Sequence, residues 1–169
     1  MNEAIDILRT SKAEFFLGPR PGKKSFQRLK ELRLTHCCTL LSEREDAALI
    51  AKFCKKLSVE GQVCGEEKVC EWVWLPIEGG NLEILRQSDI ASLIRFLTEA
   101  IKDEPNPRVY FHCSAGIHRT GFFVYILLRL QGHESEKAQS ELRLLRGVTA
   151  DQVGSERLEL AEQIVSELL

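Results

Sequence analysis

Three features are missing from the sequence, and each absence argues against a class of function or a location. The chain has no uninterrupted apolar run of about 18 residues, which is the length that a membrane-spanning helix needs. Its 23 basic and 25 acidic residues leave a net charge of only -2, so no overall positive charge attracts nucleic acid or an anionic membrane. The first residues also lack the basic-then-apolar pattern of a secretory leader. We therefore expect a cytoplasmic protein, with the nucleus as the alternative, and neither nucleic acid nor a membrane as partner.

The cysteines also lack the spacing of a metal site. The six of them are Cys37, Cys38, Cys54, Cys64, Cys70 and Cys113. No pair has the two intervening residues of a zinc knuckle, and a disulfide framework is not expected without a secretory leader. We interpret most of them as small buried side chains, and we predict no metal and no cofactor. The alternative is that one of them is a disulfide partner for an oxidised Cys113.

One stretch, residues 108–130, combines a reactive side chain with a pattern of strand, loop and helix. A short apolar strand ends at His112, Cys113 follows, and a run containing Gly116 leads to Arg119 and a further apolar segment. A loop that enters a helix points unpaired N–H groups at one spot, and the helix dipole adds partial positive charge there. The pattern predicts an anion-binding loop with a nucleophile at its base.

The polar residues of this loop fit the chemistry of a phosphate ester. Helix N-termini and cationic neighbours lower the pKa of a cysteine from about 8.5 to about 3.5–7.5, which favours a thiolate at Cys113. The planar fork of Arg119 can bind two phosphate oxygens, and the hydroxyl of Thr120 is placed to hydrogen-bond the sulfur. Gly116 lets the backbone turn without a Cβ. The alternative is a buried cysteine beside an unrelated arginine.

The segment HCSAGIHRTG, residues 112–121, resembles the signature loop of the cysteine-dependent protein tyrosine and dual-specificity phosphatases. That loop has the order His-Cys, five residues, Arg, and then Ser or Thr. The resemblance implies that Cys113 is the nucleophile, that Arg119 stabilises the transferring phosphoryl group, and that a phosphorylated protein or peptide is the substrate. The residues that it assigns to substrate binding are Ser114, Ala115, Gly116, Ile117, His118 and Thr120.

The resemblance also implies a proton donor on a mobile loop after an earlier strand. The donor in this family is an aspartate, whereas the loop here, LPIEGG, has Glu78 as its first carboxylate. We predict from this position that Glu78 is the general acid; a glutamate departs from the usual aspartate and reaches one methylene further. Asp89 and Glu83 are the alternatives, and Asp89 has a second interpretation as a helix cap.

The remaining segments predict the fold. The apolar segments predicted as strands are residues 14–17, 34–41, 70–75 and 109–111. Their alternation with helical segments favours an α/β fold with a mainly parallel central sheet flanked by helices. We expect one domain over residues 1–169 and a monomer. An amphipathic helix is predicted over residues 43–57, and a flexible loop over residues 76–89 because it contains Gly79 and Gly80.

Two further groups of polar residues have predicted roles. His112 is expected to hydrogen-bond the backbone and to help keep the Cys113 thiolate charged. The basic residues Arg20, Lys23 and Lys24 either attract an acidic substrate or belong to a solvated loop, and the sequence alone favours the solvated loop.

Taken together, these residues predict a protein phosphatase that hydrolyses phosphotyrosine through a phosphocysteine intermediate, with phosphoserine and phosphothreonine as further candidate substrates. The signature loop contains none of the lysines of the lipid phosphatases in this superfamily, and His118 stands where phosphatases of RNA 5′ ends carry Asn. The alternatives are a phosphatase of the same scaffold acting on a phosphoinositide, a nucleotide or an RNA end, and a catalytically weak phospho-binding module.

Overall fold

A four-stranded parallel sheet forms the centre of the molecule. In the computed structural model, residues 1–57, 59–60 and 67–169 are described. The strands are β1 (Glu14–Gly18), β2 (His36–Thr39), β3 (Val59–Glu60), β4 (Glu67–Lys68), β5 (Glu71–Trp74) and β6 (Arg108–His112). The sheet has the order β1-β6-β2-β5 with every pair parallel, while β3 and β4 form a separate antiparallel ribbon. The predicted α/β class is confirmed.

Helices flank this sheet, and one of them is buried along almost its whole length. The helices are α1 (Asn2–Thr10), α2 (Phe26–Glu31), α3 (Ala48–Lys56), α4 (Leu82–Gln87), α5 (Ile90–Ile101), α6 (His118–Leu130), α7 (Ser135–Leu145), α8 (Gly147–Gln152) and α9 (Ser155–Leu168). Because α6 packs against α7, α8, α9 and β6, its sequence is apolar on every side rather than amphipathic. Among the described residues, no helix is both long enough and apolar enough to span a membrane.

The carboxyl ends of the four sheet strands lie side by side. His112, the last residue of β6, is in register with Gly18 of β1 and Thr39 of β2, and Thr39 is in register with Trp74 of β5. Ligands of open α/β sheets bind outside these ends. The loops that follow the four strands are therefore brought to one edge of the sheet.

The predicted helix over residues 43–57 is wrong in its first part. A 3-10 turn covers Glu43–Glu45, Asp46 has a left-handed backbone with φ of 58°, and α3 begins two residues later. Ser42 and Glu45 form a capping box, in which the Glu45 carboxylate accepts hydrogen bonds from the N–H and the hydroxyl of Ser42. An aspartate tolerates the left-handed conformation that ends the turn.

The predicted flexible loop over residues 76–89 is wrong in its second part, because it contains α4. Asn81 caps this helix: its Oδ1 accepts a hydrogen bond from the N–H of Ile84 at 2.9 Å. Gly79 and Gly80 lie before the cap, so the loop itself is limited to residues 75–81. The structure also contains α8, a short helix that the sequence did not predict.

The cysteines outside the signature loop are buried where the structure describes them. Cys37, Cys38, Cys54 and Cys70 are all buried and free, which confirms their interpretation as small buried side chains. Cys64 and most of the segment 61–69, which the sequence predicts to be a loop or a weak edge strand, lie outside the described residues. Within the described part of the chain, no group of three or more His, Cys, Asp or Glu residues is arranged to hold a metal ion.

Candidate active site

The signature loop turns sharply between β6 and α6. Cys113 directly follows β6, and α6 begins five residues later at His118. Gly116 has φ of 71°, and a Cβ at this position would lie 2.1 Å from the carbonyl oxygen of Gly18. Only glycine fits this turn, because a side chain would collide with the backbone that leaves β1.

The carbonyl groups of the loop are held on its outer side. Those of residues 114–116 all accept hydrogen bonds from outside the loop. The N–H of Arg20 donates to the carbonyl of Ser114 at 2.9 Å. Arg146 Nη1 donates to the carbonyls of Ala115 at 3.1 Å and Gly116 at 3.0 Å. The Gly116 carbonyl also accepts a hydrogen bond from Thr149 Oγ1 at 2.6 Å. In the part of the chain that the structure describes, the N–H groups of these three residues donate to no backbone carbonyl. They are available to bind an anion at the entrance to α6.

Cys113 lies at the base of this loop, and the residue is 3% exposed. Burial alone would raise its pKa, but hydrogen bonds outweigh that effect and the pKa of Cys113 is lowered. The hydroxyl of Thr120 donates to the sulfur at 3.2 Å, and the N–H groups of Thr120 and Ile117 and the charge of Arg119 act in the same direction. The surroundings therefore favour the thiolate, which is the nucleophilic form.

Arg119 is held by groups from two neighbouring loops. Its Nη1 and Nη2 donate to the two carboxylate oxygens of Glu45 at 2.7 and 2.8 Å, and Nη1 also donates to the carbonyls of Ile77 at 3.0 Å and Leu40 at 3.3 Å. This ion pair raises the pKa of the guanidinium, and the negative charge of the Cys113 thiolate acts in the same direction. A guanidinium carries five N–H donors, so the Nε edge is left for a phosphoryl oxygen.

Glu45 is a site residue that sequence reasoning missed. Its hydrogen bonds to Arg119 lower the pKa of its carboxyl to about 2, with further contributions from the N–H and hydroxyl of Ser42. The sequence analysis placed this residue within the helix predicted over residues 43–57 and gave it no role. The Ser-x-x-Glu capping box could have signalled the turn, and the position directly after a strand could have signalled the carboxyl edge of the sheet.

His112 is fully buried and joins the ends of three strands. Its Nε2 lies 2.8 Å from the hydroxyl of Thr39, which also accepts a hydrogen bond from the indole N–H of Trp72 at 2.8 Å, and its Nδ1 lies 3.0 Å from the carbonyl oxygen of Cys113. Burial lowers the pKa of His112 to about 4. The ring is neutral at pH 7, so it supports the loop through hydrogen bonds rather than through a charge that would stabilise the thiolate.

The loop after β5, which carries Glu78, is bound from both sides. Arg119 donates to the carbonyl of Ile77 at 3.0 Å, and the Nε of Arg157 in α9 donates to the carbonyl of Gly80 at 2.7 Å. A Cβ on Gly80 would lie 2.9 Å from the Cβ of His118, so the loop passes directly over the start of α6. The side chain of Glu78 is exposed between these two anchors and has no hydrogen-bond or ion-pair partner among the described residues.

The two alternative acids have other partners. Asp89 caps α5, and its carboxylate accepts hydrogen bonds from the N–H and the hydroxyl of Ser92 at 3.1 and 2.7 Å. Those bonds lower the pKa of Asp89. Glu83 lies on the exposed surface of α4 and binds Arg86 and Gln87.

The other residues predicted to bind substrate divide into two groups. Ser114, Ala115 and His118 are exposed at the rim of the loop, whereas Gly116 and Thr120 are buried and Ile117 is partly buried. Desolvation and two nearby guanidinium groups, those of Arg157 and Arg119, lower the pKa of His118. Arg146, Thr149 and Arg157, which support the two loops, were not predicted, because nothing in the sequence near them marks their contacts.

Comparison with known proteins places these features in a family. The profile of the tyrosine phosphatase family matches residues 21–144. A search of curated protein sequences finds no match. Three solved structures have a similar fold: the kinase associated phosphatase with its catalytic cysteine substituted by serine (19% identity, 98% of this chain and 92% of that chain, TM-score 0.60), PTPMT1 (19%, 91% and 90%, TM-score 0.56) and the human tyrosine phosphatase-like serine/threonine/tyrosine-interacting protein (16%, 91% and 92%, TM-score 0.60).

Identities this low establish the fold alone, whereas the family profile covers more than half of the chain. The matched range contains the strand, the cysteine, the turn and the arginine of the signature loop, together with Glu45 and Glu78. The chain belongs to the tyrosine phosphatase family.

Proposed function

We propose that the protein is a protein phosphatase that hydrolyses phosphotyrosine through a phosphocysteine intermediate. One observation carries the proposal: the buried sulfur of Cys113 accepts a hydrogen bond from the Thr120 hydroxyl at 3.2 Å, at the base of a loop in which the carbonyls of residues 114–116 are bound by donors outside the loop. A low-pKa thiol beneath a ring of free N–H groups is suited to attack the phosphorus atom of a bound phosphate ester.

In the first step, the Cys113 thiolate forms a bond to phosphorus while the bond from phosphorus to the ester oxygen breaks. The loop N–H groups and the Nε edge of Arg119 bind the three equatorial oxygens, on which the negative charge is spread. The departing phenolate takes a proton from Glu78, whose exposed side chain stands on the loop that crosses the start of α6. The products are the phosphocysteine and a tyrosine side chain.

In the second step, water attacks the phosphocysteine and gives a proton to the Glu78 carboxylate. The bond from sulfur to phosphorus breaks, phosphate leaves, and the thiolate is restored. The Thr120 hydroxyl stabilises the sulfur as it regains its negative charge. The pair of steps consumes one water and returns every group of the protein to its starting state.

The test is release of phosphate from a phosphotyrosine peptide, from matched phosphoserine and phosphothreonine peptides, and from the lipid PI(5)P. We include PI(5)P because PTPMT1 has been crystallised in complex with it. We expect the highest kcat/KM with phosphotyrosine, complete loss with Cys113→Ser, and a phosphorylated Cys113 in acid-quenched samples of the wild type. Cys37→Ala, which changes a buried cysteine in a neighbouring strand, is the control.

Two results would overturn the proposal in different ways. Turnover of PI(5)P with no turnover of any phosphopeptide would reject the substrate class. Full activity in Cys113→Ser would reject the chemistry. The predicted cytoplasmic or nuclear location, the monomeric state and the extent of the domain over residues 1–169 stay predictions.

A further inference from the structure

A pocket of about 370 Å³ lies between the loop over residues 75–81 and the helices α4 and α5. Its lining includes three apolar side chains, Pro76, Ile84 and Leu93, and two carboxylates, Glu78 and Asp89. The reaction described above uses only Glu78 of this set. The pocket therefore offers a further surface, part apolar and part acidic, next to the proposed general acid.

One short stretch of backbone separates this pocket from the signature loop. The carbonyl of Ile77 accepts a hydrogen bond from Arg119 Nη1 at 3.0 Å, while Pro76 and Glu78 on either side of Ile77 line the pocket. An extended peptide spans about 3.3–3.6 Å per residue, and a long side chain reaches further still. A residue one to four positions from a phosphotyrosine bound beside Arg119 can therefore place its side chain in the pocket.

The apolar part of the lining suits the alkyl stem of a long side chain. Ile84 from α4 and Leu93 from α5 are partly buried and Pro76 is exposed, so all three present some apolar surface. Lysine and arginine cover such surface with their methylene groups and keep their charged ends in a polar environment. A lysine or arginine thus finds a place for its stem as well as for its charge.

The charged side chains in the described lining are both negative. Neither Glu78 nor Asp89 forms an ion pair with a described residue, and no basic residue is found among the described residues that line the pocket. The two oxygens of Asp89 accept hydrogen bonds from the N–H and the hydroxyl of Ser92, and each oxygen can accept one more. Arg95, on the next turn of α5, donates to the Ser92 hydroxyl at 3.2 Å and not to the carboxylate.

Asp89 is the carboxylate that meets a cation when a substrate is bound. Its hydrogen bonds to Ser92 lower its pKa, so it is ionised near neutral pH. Glu78, by contrast, holds the proton that it donates in the productive complex. Recognition of a cation in the pocket can therefore be tested at Asp89 without changing the proposed general acid.

We propose that this pocket binds a lysine or arginine side chain of the phosphopeptide substrate, with its stem against Ile84 and Leu93 and its charged end at Asp89. The proposal rests on the proposed function and narrows it to phosphotyrosine sites that have a basic residue nearby. Two observations select this occupant: the charge of the pocket is complementary to a cation, and the pocket is continuous with the loop that contacts Arg119.

The test compares phosphotyrosine peptides that carry one arginine with the same peptides carrying citrulline, which has nearly the same shape and no charge. The residue is placed at each of the four positions on either side of the phosphotyrosine. For the best position, we expect kcat/KM of the wild type to be about fivefold higher with arginine, and the ratio to fall as salt is added. In Asp89→Asn, which keeps the cap of α5, the ratio should fall toward one.

The matched control is Glu83→Gln. It also removes one negative charge near the pocket, but Glu83 lies on the exposed surface of α4, binds Arg86 and Gln87, and does not line the pocket. We expect this variant to keep the wild-type ratio. The ratio is the readout because a change in folding or in the chemical step affects the arginine and citrulline peptides equally. Equal loss of the ratio in Glu83→Gln would mean that the overall surface charge selects the arginine, and would overturn the proposal.

Dissociation constants of the same peptides on Cys113→Ser, and on Cys113→Ser combined with Asp89→Asn, show the selection without turnover. Tighter binding of the arginine peptide that depends on Asp89 supports the proposal. Peptides that are hydrolysed with a ratio near one at every position, or with a ratio that Asp89→Asn leaves unchanged, overturn it while the proposed function stands. If no phosphopeptide is hydrolysed or bound, the protein-phosphatase function fails and this proposal fails with it.

Discussion

Two loops at the carboxyl edge of the sheet each carry a glutamate. One glutamate is paired with an arginine, and the other is exposed. The loop over residues 40–46 follows β2, and both carboxylate oxygens of its Glu45 bind the guanidinium of Arg119. The loop over residues 75–81 follows β5, and its Glu78 is exposed with no partner among the described residues. Arg119 contacts both loops, since it also donates to the carbonyls of Leu40 and Ile77.

The difference separates a positioning role from a proton-transfer role. Arg119 lowers the pKa of Glu45 to about 2, so this carboxyl holds no proton to donate near neutral pH. It can fix the guanidinium in place. A general acid has to reach the leaving group and to gain and lose a proton in each cycle, and we propose Glu78 for this role because its exposed side chain has no partner among the described residues.

The largest effect is expected for Arg119→Lys, because this substitution removes the contact that the two loops share. A lysine keeps the charge, but its single ammonium cannot bind Glu45, Ile77 and a phosphoryl group at once. We expect kcat to fall about a thousandfold, equivalent to about 4 kcal/mol of transition-state stabilisation. Steady-state kinetics measure the loss, and a thermal melt checks that the variant is folded. Retention of more than a tenth of the activity would contradict the role given to the guanidinium fork.

The next largest effect is a dependence of the free energy of unfolding on pH, which comes from buried hydrogen-bonded residues beneath the two loops. His112, Thr39 and Trp72 join the ends of β6, β2 and β5, and burial lowers the pKa of His112 to about 4. A histidine in the unfolded chain has a pKa of about 6.5, so the unfolded state binds the proton first as the pH falls. The free energy of unfolding should therefore be constant for this group above pH 6.5 and should fall by about 3 kcal/mol between pH 6.5 and 4.

Urea unfolding at a series of pH values measures this slope, and His112→Asn is the comparison. The asparagine has no group that titrates in this range, so its curve should be flatter between pH 6.5 and 4.5. Glu45 does not interfere, because a carboxyl whose folded pKa is lowered loses its contribution only below the unfolded value of about 4.3. The same slope in the variant and the wild type would mean that His112 is not the group responsible.

The sequence predicted those site residues that lie close together along the chain, and it missed those that are brought in from distant segments. Cys113, Gly116, Arg119 and Thr120 lie within eight consecutive positions, so one strand, one turn and one helix bring them together. Their arrangement is local, and local patterns of apolarity and turn residues predict it well. The Thr120 contact with the sulfur follows from the same short segment.

Glu45 could not be predicted in this way, since it is 74 positions from Arg119 along the chain. Its position depends on the pairing of β2 with β6, and single-sequence patterns do not fix which strands are neighbours. The same applies to Arg157, which binds Gly80 from 77 positions away. α4 was missed for a different reason: the two glycines before it outweighed the cap signal of Asn81 in the interpretation of the sequence.

Glu78→Gln tests the proton-transfer side of the comparison. The phenol of tyrosine has a pKa of about 10, so its phenolate leaves slowly without a proton donor. We expect kcat for a phosphotyrosine peptide to fall about a hundredfold. The fall should be much smaller for p-nitrophenyl phosphate, whose leaving group is a far weaker base. The alkaline limb of the kcat profile should flatten in the variant, because the group that loses its proton there is gone.

The controls for this prediction are Asp89→Asn and Glu83→Gln. Asparagine caps a helix about as well as aspartate, so Asp89→Asn should leave α5 intact. Neither variant should show a dependence on the leaving group. If either of them shows the pattern expected of Glu78→Gln, the general acid is that residue instead.

The smallest effect is expected for Glu45→Gln, which tests the positioning side. Glutamine keeps one acceptor oxygen for Arg119 and loses the charge, so the guanidinium becomes less strictly oriented rather than free. We expect kcat to fall about tenfold, and to the same extent for the phosphotyrosine peptide and for p-nitrophenyl phosphate, because orienting the phosphoryl group does not depend on the leaving group. The loss should be smaller in Glu45→Asp, whose carboxylate can still pair with the guanidinium from a shorter side chain. A leaving-group dependence in Glu45→Gln like that of Glu78→Gln would show that the two carboxylates share the proton-transfer role, and the division between the two loops would be wrong.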